Sequence, residues 1–329
     1  MKRRGFILAL GGAALARPLP LGAQPGERVR RIGVLMLYGE SDAAGQERAA
    51  AFRQGLEKLG WTVGRNVQID YRWGIGDGDW IRSAVAELLS RTPDAILANG
   101  GPAMRAAQQA NRTVPIIFIG GADPVAEGLV QSLANPGGNV TGFTVLESSV
   151  GAKLLDLLMQ LAPRVRRIAV LVNPDNPANR RLFDTAAAAA QKFAVEVVVA
   201  PARETADIEM VMARLGREPD HGLIVTPDPS TTMHRKLIVD MAARYRLPTI
   251  YSLRAATIDG GLISYGVDLP QLFRQAAGHV DRVLRGSRPA DLPVVQPTKF
   301  ELIVNLKTAK ALGLEVPPTL LVAADEVIE

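Results

Sequence analysis

An α/β fold of two doubly wound parallel-sheet lobes, joined by a multi-strand hinge, is predicted by three features of this sequence. Short β-branched runs alternate with helical patterns from Arg31 onward, the mark of βαβ units stacked into parallel sheets. The segment RVRRIGVLM at 28–36 recurs as RVRRIAVLV at 164–172, and each copy opens a βα series of similar length. The chain's 329 residues are too many for one ordinary α/β domain and suit two.

The first series has strands expected at Arg31–Leu37, Val67–Tyr71, Ala95–Ala98, Ile116–Ile119 and Val140–Thr144. The second has them at Ile168–Val172, Val195–Val199, Gly222–Val225, Thr249–Tyr251 and Leu262–Tyr265. Several are continuous apolar runs, as parallel strands covered on both faces require. Helical patterns fill the gaps near 43–59, 79–90, 102–110, 125–134, 149–161, 177–193, 206–216, 231–245 and 269–285. Residues 262–329 carry too little for a third core, with one further short strand and helix at 300–312. They must pack onto the two lobes, so the chain crosses between them more than once. The expected division is 1–23 signal peptide, 24–145 with 262–288 as the first lobe, and 146–261 with 289–329 as the second. Hinge bending is expected near 144–146, 252–262 and 286–298.

Composition narrows the function classes. Hydrophobic residues at 47% supply a sizeable core, and charged residues at 22% are ordinary for a globular chain. The formal charge of +5 arises largely at the N-terminus. Setting aside Lys2, Arg3, Arg4 and Arg17 leaves 34 basic against 33 acidic residues, too near neutral for a field that attracts nucleic acid. Lys2-Arg3-Arg4, the uncharged run Gly5–Ala16 and Leu21-Gly22-Ala23 before Gln24 form an export signal with its cleavage site. The run is shorter than a membrane span. Arg3-Arg4-Gly5-Phe6-Ile7 resembles a twin-arginine signal, with the general secretory route as the alternative. Cysteine is absent, which excludes disulfides, thiolate metal sites, a cysteine nucleophile and a lipid-anchored cysteine. The expected location is the periplasm.

Ligands of open parallel sheets sit beyond the carboxyl ends of strands, so the strand ends supply the candidate site. Tyr38 follows the first strand. Asn99-Gly100-Gly101-Pro102 follows the third, where glycine lets backbone approach a ligand and the helix start favours a carboxylate. Asp123 follows the fourth, Asn173 and Asp228 follow two strands of the second series, and Tyr251-Ser252 and Tyr265 with Asp268 follow the last two. Taken singly, each Asp or Asn serves to cap the next helix; recurring at facing strand ends, they point to a shared ligand site. Acidic residues such as Asp123, Asp228 or Asp268 would hold an ammonium group.

No catalytic pattern is present. His221, His234 and His279 fall in no metal-binding spacing, and there is no G-x-S-x-G elbow or P-loop. The expectation is a binding protein, not an enzyme, with no cofactor and no metal.

Several segments carry a resemblance. Phe52-Arg53-Gln54-Gly55-Leu56 with Leu59-Gly60-Trp61, Asn66-Val67 with Asp70-Tyr71-Arg72, and Asn135–Asn139 with Thr141-Gly142 occur in order. Leu262–Gly266, Asp291-Leu292-Pro293, Asn305–Lys310 and Ala324–Ile328 follow. In these the chain resembles the ABC transporter substrate-binding family that includes tryptophan- and phenylalanine-binding proteins, over essentially its whole length. The resemblance implies a type I periplasmic-binding-protein fold with three inter-lobe crossovers, a small-molecule ligand such as an amino acid, and delivery to a permease and ATPase in the inner membrane. A monomer is expected, and no nucleic-acid partner. A ligand-binding input protein for a membrane sensor, or an enzyme on the same architecture, are the alternatives.

Overall fold

The computed structural model describes residues 28–74, 78–121, 123–145 and 149–329; the expected signal segment lies outside them. The first lobe runs β1 (Arg30–Met36), α1 (Ala43–Lys58), β2 (Val67–Trp73), α2 (Gly78–Ser90), β3 (Ala95–Asn99), α3 (Gly101–Ala110), β4 (Ile116–Ile119) and β5 (Val140–Phe143). The second runs α4 (Val150–Leu161), β6 (Arg167–Val172), α5 (Pro177–Ala189), β7 (Glu196–Pro201), α6 (Thr205–Leu215), β8 (His221–Val225), α7 (Pro229–Met233), α8 (Arg235–Arg244), β9 (Thr249–Tyr251), α9 (Arg254–Ile258) and β10 (Ile263–Val267). The remainder is α10 (Leu269–Leu284), β11 (Phe300–Asn305), α11 (Leu306–Leu312), α12 (Pro318–Ala323) and β12 (Glu326–Ile328).

The first sheet has the order β2-β1-β3-β4-β5 and is parallel throughout. The second has the order β12-β11-β10-β9-β8-β6-β7, in which β7-β6-β8-β9-β10 repeats the order of the first sheet. The two copies of the RVRRI segment thus form the equivalent strands β1 and β6. Only the pairing of β10 with β11 is antiparallel in this sheet. All residues of β3, β4 and β8 are buried, as strands covered by helices on both faces must be.

Three expectations are corrected. Strand β10 hydrogen-bonds to β9, so the chain stays in the second lobe through 252–262 and crosses after Val267. The helical pattern at 125–134 forms turns, because Gly128 adopts a positive φ of 68° in its midst. Residues 289–295 join the first lobe, not the second. Val295 N–H donates to the Gly142 carbonyl at 2.8 Å, Thr144 N–H to the Val295 carbonyl at 3.0 Å, and Thr141 Oγ1 to the Leu292 carbonyl at 2.7 Å, which lays this segment along β5. The crossings are therefore after Val145, at 267–269, and between Val295 and Phe300.

Helix α10 fixes the second crossing. Its face of Leu272, Phe273, Ala276, Ala277, Val280, Val283 and Leu284 is buried in the first lobe with Phe52 and Leu56 of α1. Each large apolar side chain so buried contributes roughly 1.5–3 kcal/mol. The approach is close because Gly55 lacks a side chain: a Cβ there would lie 2.7 Å from Ala277 Cβ and 2.8 Å from the Arg274 carbonyl.

His279, also on α10, is buried and binds the returning segment. Its Nε2 donates to the Pro293 carbonyl at 3.1 Å and its Nδ1 accepts from Arg282 at 3.1 Å, with the ring edge on Phe143. Burial holds its pKa below the ordinary 6.5, and the Arg282 charge adds to this against the Pro293 bond. The unfolded chain then takes up this proton at a higher pH than the folded protein does, so stability falls as pH drops through 6.5. Denaturant titrations at pH 7.5 and 5.5 should show a larger loss in the wild type than in His279→Gln. Equal losses would mean that His279 carries no part of the acid sensitivity.

Candidate functional site

The carboxyl ends of the strands of both sheets converge on one cleft between the lobes. The first lobe supplies Leu37 and Tyr38 after β1, Asn99 to Gly101 at the β3–α3 junction, and Gly120 with Gly121 after β4. The second lobe supplies Asn176, Asp228, Ser252 and the end of β10.

Seven of the expected site residues line this cleft: Tyr38, Asn99, Gly100, Gly101, Asp228, Ser252 and Tyr265. Gly100 has φ of 94°, and a Cβ on Gly120 would stand 2.8 Å from Gly100 Cα, so neither position has room for a side chain. Arg105 covers the start of α3, its Nη1 being 3.2 Å from where a Gly101 Cβ would lie, and it pairs with Glu127 at 2.9 Å. Tyr265 stacks on Phe300, with centroids 5.4 Å apart and planes 14° from parallel. Ser252 Oγ donates to the Val225 carbonyl at 2.9 Å.

Asp228 follows β8 and is buried. Its carboxylate accepts from Ser230 N–H at 2.9 Å, Asn176 Nδ2 at 2.8 Å and Asn173 Nδ2 at 3.3 Å. The carboxylate also caps α7, with Thr231 at N3 completing a capping box, and every donor to it is neutral.

Four expected residues lie elsewhere. Asn173 stands behind Asp228 and turns its Oδ1 to Asp175 N–H at 3.0 Å. Tyr251 is core, packed among the apolar side chains of the second lobe, where burial raises its phenol pKa. Asp268 caps α10, accepting from Gln271 N–H at 2.8 Å. Asp123 accepts from Ala126 N–H at 2.9 Å and pairs with Arg181 of the second lobe at 2.5 Å. The Ala126 bond, and then Arg181, hold its pKa below the ordinary value. In each case a local donor or the core takes the group that sequence offered to a ligand.

Sequence reasoning missed Arg48, Arg105, Glu127, Asn176 and Thr232, all of which line the cleft. Arg48 left a signal. It falls on the helical stripe of Gly45, Ala49, Phe52 and Leu56, the buried face of α1, where a charge is out of place.

Residues 33–328 match the family described as ABC transporter substrate binding protein. The chain belongs to this family. It is 30% identical over 264 residues, 80% of this chain and 76% of the relative, to a tyrosine-binding protein of Clostridioides difficile. A Streptococcus pneumonia ABC domain in complex with L-Trp is similar in structure, with TM-score 0.83 and 25% identity over 91% of this chain and 99% of that one. A ligand-free, open substrate-binding protein from Clostridium difficile gives TM-score 0.67 at 27% identity over 91% and 99% of the two chains. At similar identities the lobes here overlay better on the liganded structure than on the open, ligand-free one.

Ion pairs bridge the two lobes. Arg235 of α8 donates to Asp42, the N-cap of α1, at 2.7 Å and to Asp259 of its own lobe at 2.7 Å, and Arg181 reaches Asp123. Breaking a cross-lobe pair penalises only the closed form. With saturating ligand, Arg235→Gln should therefore enlarge the radius of gyration in small-angle scattering relative to wild type, with the thermal midpoint changed little. An unchanged profile would show that this pair does not hold the lobes together.

Proposed function

We propose that this protein is the periplasmic solute-binding component of an ABC importer and that its ligand is an amino acid with an aromatic side chain. The observation that carries the reading is Asp228, a buried carboxylate facing the cleft whose donors are all neutral. Such a group is matched by a ligand ammonium, since a buried charge is stable only when paired. The cleft walls are otherwise largely apolar and aromatic, with Tyr38, Tyr265 and Phe300 among Leu37, Ile119, Val145 and Leu253. The relatives that bind tyrosine and tryptophan support the same class.

Family membership supports transport, and the export signal that the sequence suggests at residues 1–23 fits it. The ligand is captured between the lobes and carried, without chemical change, by a monomer to a permease and ATPase in the inner membrane. Among the described residues no cluster suits a metal ion, and no helix is long and apolar enough to cross a membrane.

Thermal-shift measurements with L-tryptophan, L-tyrosine and L-phenylalanine, and with arabinose and xylose as controls, test the ligand class. A bound amino acid at a hundred times its Kd should stabilise the protein by about 2.7 kcal/mol. Asp228→Asn should weaken binding about thirtyfold or more, the lower end of the roughly 2–5 kcal/mol that loss of one partner of a desolvated charge pair costs. Stabilisation by the sugars alone, or wild-type affinity in Asp228→Asn, would contradict the reading.

A further inference from the structure

Arg48 is the feature of the cleft that nothing in the protein satisfies. Arginine inside a protein normally spreads its five N–H donors over carboxylates and carbonyls. Here the residue is 4% exposed, its Nη1 is buried without a hydrogen-bond partner, and no ion pair to it is found among the described residues. Its contact is with the Tyr38 ring, whose centroid lies 4.5 Å from the guanidinium carbon. A cation over a ring face is attracted weakly compared with a carboxylate pair. Burial, and then the charge of Arg235 from the other lobe, push its pKa down to about 9, which leaves it protonated at neutral pH.

The position gives this cation an audience. Arg48 lines the inter-lobe cleft together with Asn99, Gly100 and Asp228, and it also lines the adjoining gap where Arg235 and Asp259 approach from the second lobe. Of the charged side chains in the cleft, Arg105 is paired with Glu127. Arg48 and Asp228 are left, one positive charge from the first lobe and one negative charge from the second.

We infer that Arg48 is the specificity-determining anchor for a ligand carboxylate. This rests on the proposed amino-acid ligand and extends it. The carboxylate meets the guanidinium in the first lobe while the ammonium meets Asp228 in the second, so only a zwitterion spans the cleft with both ends paired. Only when the lobes meet are both charges of the ligand paired, which couples binding to closure. The neutral Tyr38 ring beneath the guanidinium orients it without competing for its donors.

Calorimetric titration of wild type, Arg48→Met and Arg48→Lys with three probes tests the inference: L-tryptophan, tryptamine, which lacks the carboxylate, and indole-3-propionate, which lacks the ammonium. The wild type should bind L-tryptophan at least tenfold more tightly than tryptamine. Arg48→Met should lose most of that preference and its binding of indole-3-propionate, with Arg48→Lys between the two. The ligand-free Arg48→Met variant should melt at or above the wild-type temperature, since an unpaired buried cation has been replaced by an apolar chain. A merely structural arginine gives the opposite pattern, a lower midpoint with the preference for the carboxylate intact, and that result overturns the proposal. So does a wild type that binds neither carboxylate probe. Binding of indole-3-propionate through Arg48 without binding of L-tryptophan would instead refute the amino-acid reading and leave the carboxylate anchor standing.

Discussion

The packing of α10 on α1 at Gly55 is the constraint on which the rest of the molecule depends. Strand β10 ends in the second sheet, and two residues later, at Leu269, the chain is buried in the core of the first lobe. The first lobe covers the apolar face of α10, and only a residue without a Cβ admits Ala277 and the Arg274 backbone at that distance. From this follow the second crossing, the return of residues 289–295 along β5, and the third crossing to β11. Three crossings tie the lobes at one side and leave the strand ends facing each other at the other. Val145 and Phe300, at the first and third crossings, pack against the cores of both lobes, so the hinge is built from side chains shared between them.

The cleft then divides its charges by lobe. Helix α1 carries Arg48 on its buried face and Asp42 at its cap; the β8–α7 junction carries Asp228; α8 carries Arg235. Each charge within one lobe that has a partner is quiet: Glu127 takes Arg105, and Asp259 takes one side of Arg235. Those that reach across the gap act only when the lobes meet. Asp42 with Arg235 and Asp123 with Arg181 favour closure directly.

Much of the fold was legible in the sequence because parallel strands announce themselves. Ile116–Ile119 and Ile168–Val172 are unbroken apolar runs, and the repeated RVRRI segment marked the equivalent positions β1 and β6. The C-terminal course was not legible, because whether Ile263–Val267 pairs with the first sheet or the second is decided by contacts distant in sequence. Among site residues, the strand-end rule found Asn99, Gly100, Gly101, Asp228 and Tyr265, which lie where any doubly wound sheet would place them. It also returned Asp268 and Asp123, since an acid before a helix reads the same whether it caps that helix or faces a ligand. Arg48 and Phe300 escaped it, one because it lies within a helix and the other because its strand enters the cleft from the opposite direction.

The central claim is that the lobes close around a ligand whose two charges they divide, and closure can be measured directly. The chain has no cysteine, so Val125→Cys on the first lobe and Arg180→Cys on the second place spin labels at two exposed positions, both close to the cross-lobe pair of Asp123 and Arg181. Double electron–electron resonance on this variant should give a longer, broader distance distribution in the ligand-free protein. It should give a shorter, narrow one with saturating L-tryptophan. The same distribution in both samples, with binding verified by calorimetry, would contradict the account.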